Sequence, residues 1–214
     1  MFESPKKILI LSPHTDDAEL GCGGTISKLI KEGHYILWVC FSTAEESLPE
    51  GFPPDSLKKE FLNVTNFLGL NENSVKIFDY KVRKLSENRQ DVLENLISIK
   101  KEFCPEVVFG PSLNDFHQDH NVVANEMIRA FKSSSSIYCY ELPWNHLEFK
   151  TQLFVNLEAS HVEKKVKMLK FYKTQFVAKR NYFTKEFIEG LARVRGAQVN
   201  HEFAESFEVI RAQT

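Results

Sequence analysis

Short apolar runs alternate with amphipathic segments along most of this chain, and this alternation constrains the fold more than any other feature. Residues 6–11, 35–41 and 106–109 are short apolar runs, which are typical of strands buried on both faces. Residues 19–32 and 57–68 instead carry apolar side chains at helical spacing. The pattern predicts an α/β fold, a Rossmann-like open and mostly parallel sheet with helices on both faces.

The same criteria predict further elements downstream. The additional strands are expected at residues 75–78, 137–141 and 205–211, and the additional helices at residues 88–103, 121–131 and 161–172. A chain of 214 residues can bury a sizeable core. Because the sequence has no internal repeat, low-complexity tract or obvious linker, residues 1–214 are expected to form a single domain.

Composition excludes several classes of protein. The chain has 27 Lys and Arg against 29 Asp and Glu, so there is no basic excess to hold a nucleic-acid backbone. No apolar run approaches the roughly 20 residues that span a bilayer. The four cysteines are scattered without a C-x-x-C pair, which favours reduced thiols and a cytoplasmic location. Homo-oligomerisation is left open.

Unusual polar residues follow two of the predicted strands. The first segment, residues 13–19, reads PHTDDAE, and the second, residues 114–120, reads NDFHQDH. Because the carboxyl ends of parallel strands meet at one edge of a sheet, the two segments are expected to converge there. Imidazoles and carboxylates are the usual ligands of catalytic zinc, which typically has three protein ligands and a water.

Spacing within these segments suggests a division of labour. His14 and Asp17 are three residues apart, as are His117 and His120, so each pair can share one side of a helical turn. The neighbouring carboxylates Asp16 and Asp17 cannot easily point the same way. One of them can bind the metal while the other accepts or donates a proton. The same two roles can be divided between His117 and His120. A plain helix cap is the structural alternative for either aspartate.

Two other functional classes are compatible with parts of this pattern. Gly21, Gly23 and Gly24 resemble a dinucleotide-binding loop, but they come too late after the first strand and are better explained by close packing of the first helix on the sheet. A metal-dependent phosphoesterase also uses His and Asp ligands at strand ends. The two segments contain few acidic ligands for a two-metal site. The number of metal ions bound per chain would distinguish a two-metal phosphoesterase from a one-metal enzyme. A catalytically inactive interaction module is disfavoured because all the proposed chemical groups are present.

These segments resemble the LmbE-like (PIG-L) family of zinc-dependent N-deacetylases. Residues 13–19 match its H-x-D-D-x-E signature, and residues 20–25, LGCGGT, match the glycine-rich extension. Residues 117–120, HQDH, match its H-x-D-H motif. Residues 191–196 and 203–207, LARVRG and FAESF, are similar to its C-terminal stretch. The resemblance therefore runs in order through nearly the whole chain.

The resemblance implies a hydrolase that removes an N-acetyl or short N-acyl group from an N-acetylglucosamine-type amino sugar. It implies one Zn²⁺ per chain, bound by His14, Asp17 and His120. An N-deformylase or another amidohydrolase of the same fold remains an alternative. The expected partner is a small-molecule amino-sugar conjugate.

The resemblance also assigns the proton chemistry. Asp16 would be the general base on the zinc-bound water as it attacks the amide carbonyl. His117 would stabilise the tetrahedral intermediate or protonate the leaving amine, with Asp119 tuning it. A carboxylate, either that of Asp119 or that of Asp115, is expected to hold His117 off the metal as an imidazolium.

Departures from the family pattern concern substrate contacts. Lys58 stands where many members have an arginine. Phe203 stands where a tyrosine is common, so this chain must either do without that hydroxyl or use the hydroxyl of Tyr138, Tyr140 or Tyr182. Trp144 follows a predicted strand and can form a stacking platform for a sugar ring, or anchor its loop in the core. The residues expected to contact substrate are Lys58, Trp144 and Arg195.

Overall fold

Seven strands form one sheet in the computed structural model, which describes residues 2–213. They are β1 (Lys7–His14), β2 (Tyr35–Ser42), β3 (Val75–Ile77), β4 (Val107–Gly110), β5 (Ser136–Tyr140), β6 (Leu153–Leu157) and β7 (Phe203–Arg211). Their order is β3-β2-β1-β4-β5-β7-β6. The first five are parallel, whereas β7 runs antiparallel to both of its neighbours. The predicted mostly parallel α/β sheet is therefore confirmed.

Helices cover both faces of this sheet, as the sequence predicts. They are α1 (Asp17–Lys31), α2 (Ser56–Phe67), α3 (Arg89–Phe103), α4 (Gln118–Phe131), α5 (Ala159–Leu169), α6 (Lys173–Val177) and α7 (Lys185–Ala197). Across residues 2–213, none of the helices combines the length and apolar character that a membrane span requires.

The central strand β1 shows how the chain divides its core between the two faces. Ile8 and Ile10 pack into the cluster that includes side chains of α1, α2, α5 and α7. Leu9 and Leu11 pack into the second cluster, with α3 and α4. Successive side chains of a strand point to opposite faces. A continuous apolar run is therefore what a strand covered on both sides requires.

Glycines allow α1 to lie directly against the sheet. A Cβ atom at Gly21 would overlap the ring of Tyr140 on β5, and one at Gly24 would collide with Leu157 at the end of β6. The expectation that these glycines permit close packing is confirmed, and this close approach explains why larger residues are excluded there.

A break inside α1 is stabilised by a residue from the other end of the chain. Cys22 has non-helical backbone angles, which leaves the following amides without helical partners. The Glu205 carboxylate of β7 accepts hydrogen bonds from the amides of Gly24 (3.0 Å) and Thr25 (2.6 Å). The same carboxylate pairs with the buried Lys165 ammonium at 2.7 Å. Glu205 therefore acts as a remote cap for the second half of α1.

The C-terminal third differs most from the sequence prediction. Strand β6 and helices α6 and α7 are absent from the predicted elements, and β7 inserts between β5 and β6. β6 is a short strand with mixed burial, so its pattern is weak. Gly190 and Gly196 lower the helix propensity of α7. Tertiary contacts override these weak local signals.

The order of the strands creates a crevice at one edge of the sheet. After β1 the chain builds β2 and β3 on one side, and it then crosses to build β4 and β5 on the other. Such a switch point separates the loops that follow β1 and β4, and in open α/β sheets ligands bind at that place. Both polar segments singled out in the sequence lie there.

Candidate active site

The turn after β1 places two adjacent carboxylates in different environments. His14 ends β1, Asp16 occupies the N-cap position of α1, and Asp17 begins the helix. The backbone amide of His14 donates to Asp17 Oδ2 at 2.8 Å, which turns that carboxylate back under the end of the strand. The Asp16 side chain lines the neighbouring cleft, and within residues 2–213 it makes no capping hydrogen bond to α1.

The segments after β1 and β4 bring three side-chain atoms together. His14 Nδ1 lies 3.2 Å from Asp17 Oδ2 and 3.1 Å from His120 Nε2, and the distance between His120 Nε2 and Asp17 Oδ2 is also 3.1 Å. Tetrahedral zinc with bonds of about 2.0–2.1 Å separates its ligand atoms by about 3.3 Å. These atoms thus fit the ligand shell of one small divalent ion, and we call them the ligand triangle.

Each histidine of the ligand triangle is held from behind by a carboxylate. Asp119 Oδ2 lies 3.0 Å from His14 Nε2, and Asp115 Oδ2 lies 2.7 Å from His120 Nδ1. Histidines that bind metals almost always use their second ring nitrogen in this way, because the contact fixes the tautomer and orientation of the ring. The donor set therefore matches a metal site beyond the ligand atoms themselves.

Both supporting carboxylates are themselves fixed by other groups. Asp119 accepts hydrogen bonds from the backbone amides of Arg83 (2.5 Å) and Leu85 (3.2 Å), between β3 and α3. Asp115 accepts from the His117 amide at 2.8 Å. Sequence reasoning did not connect Asp115 with His120, because nothing in a string of residues tells which carboxylate reaches which imidazole.

His117 lies beside the ligand triangle, and its tautomer differs from the one that a metal ligand requires. Its Nδ1 accepts a hydrogen bond from the backbone amide of Asp119 at 3.2 Å, so the proton of the neutral ring belongs on Nε2. The three histidines His14, His117 and His120 place ring nitrogens within 4.8 Å of one another, which offers an alternative three-histidine ligand set. The tautomer favours the ligand triangle, because a protonated Nε2 cannot donate a lone pair to a metal.

The expected link between His117 and Asp119 takes a different form. The carboxylate of Asp119 bonds to His14, and its backbone amide is the group that contacts His117. Burial and the positive charges of His120 and His14 lower the pKa of His117 to about 4. The expectation of an imidazolium held by a carboxylate is therefore corrected: His117 is a neutral hydrogen-bond donor.

Electrostatics separate the two adjacent aspartates. Burial alone would raise the pKa of Asp17, but the charge and hydrogen bonds of His120 and His14 outweigh it and lower that pKa well below its ordinary value. Burial and the charge of Asp17 raise the pKa of Asp16 to about 7. Burial would lower the pKa of His120, yet Asp17 and Asp115 raise it to about 10. Asp16 is thus suited to exchange protons near neutral pH.

A cleft of about 300 Å³ opens beside the ligand triangle. One wall carries the triangle together with Asp16 and His117, and we call it the histidine wall. A second part of the lining, which we call the aromatic wall, consists of Trp144, Gln175, Arg180 and Tyr182. The rings of Trp144 and Tyr182 stack at a centroid distance of 3.8 Å, so one face of Trp144 is already covered.

Among the tyrosines considered as replacements for Phe203, Tyr182 lies in the cleft. Tyr138 and Tyr140 are buried, and the Tyr140 hydroxyl donates to the Leu11 carbonyl at 3.0 Å. Burial and the charge of Asp16 raise the pKa of Tyr182 to about 12, so its hydroxyl keeps its proton at neutral pH. The aromatic wall therefore offers a second hydrogen-bond donor.

Two residues expected to contact substrate lie elsewhere. Lys58 is exposed on α2 and does not line the cleft as the structure describes it from residue 2 to 213. Arg195 binds Glu141 through Nε at 2.8 Å and Gln198 through Nη1 at 3.0 Å, and so ties α7 to the end of β5. The structure thus assigns Arg195 a structural ion pair and brings only Trp144, of the three, to the cleft.

Comparison with known proteins agrees with this arrangement. The family model described as PIG-L, GlcNAc-PI de-N-acetylase, matches residues 9–131, which hold both polar segments. The chain belongs to the PIG-L family. A relative in Escherichia coli K12, named the uncharacterized deacetylase YaiS, is 27% identical over 79% of this chain and 91% of its own length. A probable N-acetyl-alpha-D-glucosaminyl L-malate deacetylase 2 of Bacillus anthracis is 24% identical over 89% of this chain and 90% of its own length.

Solved structures share the fold at low sequence identity. The N,N'-diacetylchitobiose deacetylase of Pyrococcus horikoshii is 21% identical with a TM-score of 0.80, covering 98% of this chain and 85% of its own. GalB, the 4-carboxy-2-hydroxymuconate hydratase of Pseudomonas putida KT2440, is also 21% identical, with a TM-score of 0.75 and 97% coverage of both chains. Because one PIG-L-like fold carries both a deacetylase and a hydratase, activity has to be argued from the site.

Proposed function

We propose that this PIG-L protein is a zinc-dependent N-deacetylase that acts on an N-acetylated amino-sugar conjugate. The observation that carries the proposal is the ligand triangle of His14, Asp17 and His120 with carboxylates behind both histidines. The matched family model and the deacetylase names of the relatives support the reaction class. The proposal includes one ion per chain, because the triangle supplies three donors and leaves room for water.

The ligand triangle would hold the metal, and a bound zinc ion would acidify a water molecule and polarise an amide carbonyl. His14 and His120 are presented with one ring nitrogen towards the triangle, because Asp119 and Asp115 occupy the other nitrogen. Asp17 supplies a carboxylate that stays ionised, since its pKa is strongly lowered.

Asp16 is the proposed general base. Its carboxylate lines the cleft beside the ligand triangle, and its raised pKa of about 7 lets it take a proton from water and pass it on. Asp17 has a different task, because its Oδ2 atom is shared with His14 and His120. The pair thus combines one proton carrier with one permanently charged ligand.

His117 is the proposed hydrogen-bond donor to the reacting carbonyl oxygen. Its Nε2 proton is fixed by the backbone contact at Nδ1, and its ring centroid lies 4.8 Å from that of His14 and 4.6 Å from that of His120. A donor preorganised where negative charge develops is a large contributor to catalysis. The Tyr182 hydroxyl on the aromatic wall is the second candidate donor.

The aromatic wall is proposed to position the sugar. Trp144 lines the cleft as a half-buried ring that stacks on Tyr182 and has Phe187 tilted against it at a centroid distance of 5.8 Å. Carbohydrate rings pack their apolar faces against aromatic ones. We also propose that residues 1–214 act as one domain. Four free cysteines are compatible with a reducing compartment such as the cytoplasm, which forms part of this proposal.

A mass-spectrometric screen tests the reaction. The protein, loaded with one equivalent of zinc, is incubated with N-acetylated and N-formylated amino sugars, free and as nucleotide or glycoside conjugates, and with phosphate esters. We expect loss of one acyl group and release of a free amine. The matched control is Asp17→Ala, which lacks a ligand. Hydrolysis of phosphate esters without any amine release would replace the deacetylase with a phosphoesterase.

A further inference from the structure

A second depression lies beside the cleft, between α5, α6 and α7. Its volume is about 490 Å³, and its apolar floor is formed by Val166, Leu169, Phe176, Phe183 and Ile188. We call it the α5–α7 groove. It lies wholly outside residues 9–131, the part of the chain that matches the family model.

Cationic side chains dominate the rim of this groove. Lys170, Lys179, Arg180 and Lys185 line it, against the single acidic residue Glu186. Lys185 lies 3.5 Å from Glu189, whereas Lys170, Lys179 and Arg180 form no ion pair with any carboxylate in the part of the chain that the structure describes. An apolar floor beneath unpaired cations is complementary to a ligand that is both apolar and negatively charged.

Arg180 joins the groove to the cleft. It lines the α5–α7 groove and also the aromatic wall, where its charge acts on Tyr182. A single extended molecule can therefore occupy both depressions and contact the Arg180 guanidinium where they meet. Guanidinium groups favour phosphate and carboxylate because their donors match two oxygens at once.

The segment that carries these residues is anchored rather than loose. The Glu60 carboxylate accepts hydrogen bonds from the Thr174 amide (3.1 Å) and hydroxyl (2.7 Å) at the start of α6. Tyr182 is stacked on Trp144 at the other end of the segment. The side chain of Phe176 nevertheless remains 46% exposed. An anchored segment that leaves an aromatic ring in water is what a preformed apolar subsite requires.

We propose that the α5–α7 groove binds the non-sugar part of the substrate, an apolar group that bears a phosphate or carboxylate next to Arg180. This inference rests on the proposed function, because it places the acetylated sugar of the same molecule in the cleft. A free inorganic anion would leave the apolar floor uncovered, and a neutral lipid would leave the cations unpaired. The groove therefore selects a conjugate with both features.

Binding of hexyl phosphate tests the site without any need for turnover. Calorimetry is carried out with the zinc-loaded protein, and inorganic phosphate and hexanol serve as probes of each half of the ligand. We expect hexyl phosphate to bind at least about tenfold more tightly than either probe. Hexanoate in place of hexyl phosphate separates a carboxylate source from a phosphate source. Equal affinity for hexyl phosphate and either half-ligand would overturn the proposal.

Three variants locate the binding. Arg180→Gln should weaken hexyl phosphate about tenfold, since one charge-assisted contact is lost. Arg211→Gln removes an exposed arginine at the opposite edge of the sheet and should change nothing. His120→Ala lacks the ligand triangle, so retained affinity in that variant shows that the anion does not sit on the metal. Loss of binding in His120→Ala, or retention in Arg180→Gln, would overturn the assignment.

A kinetic comparison links the groove to substrate choice. Two acetylated glucosamine glycosides are compared, one with a hexyl group and one with the same chain ending in phosphate. The ratio of their kcat/KM values should favour the phosphate and fall about tenfold in Arg180→Gln but not in Arg211→Gln. A ratio unchanged by Arg180→Gln contradicts the inference. Absence of turnover with both glycosides would contradict the proposed function instead, while the binding measurements still decide the groove.

Discussion

The two walls of the cleft are built on different physical principles. On the histidine wall, the three imidazoles and the carboxylates behind them have hydrogen-bond partners at defined atoms, and most of these side chains are buried. Asp16 is the exception, because its carboxylate makes no capping hydrogen bond to α1. On the aromatic wall, Trp144 and Tyr182 stack on each other, and Arg180 is exposed. Buried, networked groups hold a geometry for chemistry, whereas exposed groups are free to meet a ligand.

This contrast has a consequence for mutagenesis. Substitutions on the histidine wall should change metal content or kcat, because they disturb preorganised atoms. Apart from Tyr182, whose hydroxyl is a candidate donor to the reacting carbonyl oxygen, substitutions on the aromatic wall should change KM or substrate preference, because they remove contacts that exist in ground and transition states alike.

The largest expected effect comes from removing a corner of the ligand triangle. His120→Ala leaves two ligands and uncovers Asp115, so the protein should lose most of its zinc and nearly all activity. Elemental analysis of dialysed protein measures the metal. His201→Ala, a change at an exposed histidine, is the matched control and should retain one equivalent. Full zinc content in His120→Ala would remove His120 from the ligand set.

Asp16→Asn should separate the proton carrier from the metal site. The variant is expected to keep its zinc and lose about 10²–10⁴-fold in kcat, because an amide cannot accept a proton. The base acts when deprotonated, so in the native protein kcat/KM should rise with pH and level off above the pKa of Asp16. That pKa is about 7 without metal and lower beside a bound cation.

The measurement is a pH–rate profile for the native protein and Asp16→Asn, with the exposed-site change Asp91→Asn as control. The rising limb should vanish in Asp16→Asn only. A variant with near-native kcat would exclude Asp16 as the base.

His117→Ala should lower kcat about 10²–10³-fold while the zinc content stays at one equivalent. The reason is the loss of one preorganised donor, since the ring proton sits on Nε2 and the ligand triangle does not include this histidine. Metal analysis and steady-state kinetics on the same preparation provide the readout. If His117→Ala loses its metal, the three-histidine ligand set is the correct one and the triangle is wrong.

Asp115→Asn tests the outer layer of the histidine wall. The neutral side chain can still accept a hydrogen bond from His120 but no longer makes that imidazole a stronger ligand, so zinc affinity should fall about 10–100-fold. Competition with a chromogenic chelator measures the affinity. Asp79→Asn, at an exposed aspartate, should match the native protein. An unchanged affinity in Asp115→Asn would make this contact merely structural.

The smallest effect is expected on the aromatic wall. Trp144→Ala should raise KM several-fold and leave kcat within about threefold, because a stacking contact of roughly 1 kcal/mol acts on bound substrate and transition state alike. Trp144→Phe, which keeps an aromatic face, should recover most of the loss. A fall in kcat in Trp144→Ala as large as that in His117→Ala would contradict the assignment of chemistry to the histidine wall and of substrate binding to the aromatic wall.

Local sequence patterns anticipated most of the parallel half of the sheet. The apolar runs that became β1, β2 and β4 are buried on both faces, and a run of that kind has few alternatives in a chain of this length. The C-terminal third was predicted less well. The strand β6 has a weak local signal and is stabilised by pairing with β7 at the far end of the chain. The helix α7, whose two glycines weaken its helical signal, is stabilised mainly by packing on β7.

The sequence by itself determined that two polar segments follow buried strands, and it therefore named His14, Asp16, Asp17, His117 and His120 as one candidate site. Which carboxylate supports which histidine was decided only by the tertiary structure. The Asp119 carboxylate reaches His14 across 105 positions, and Arg195 turns to Glu141 rather than to the cleft. Spacing along a strand or helix is set by neighbouring residues, whereas pairing between loops depends on the strand order and on which side chains fill the space between them.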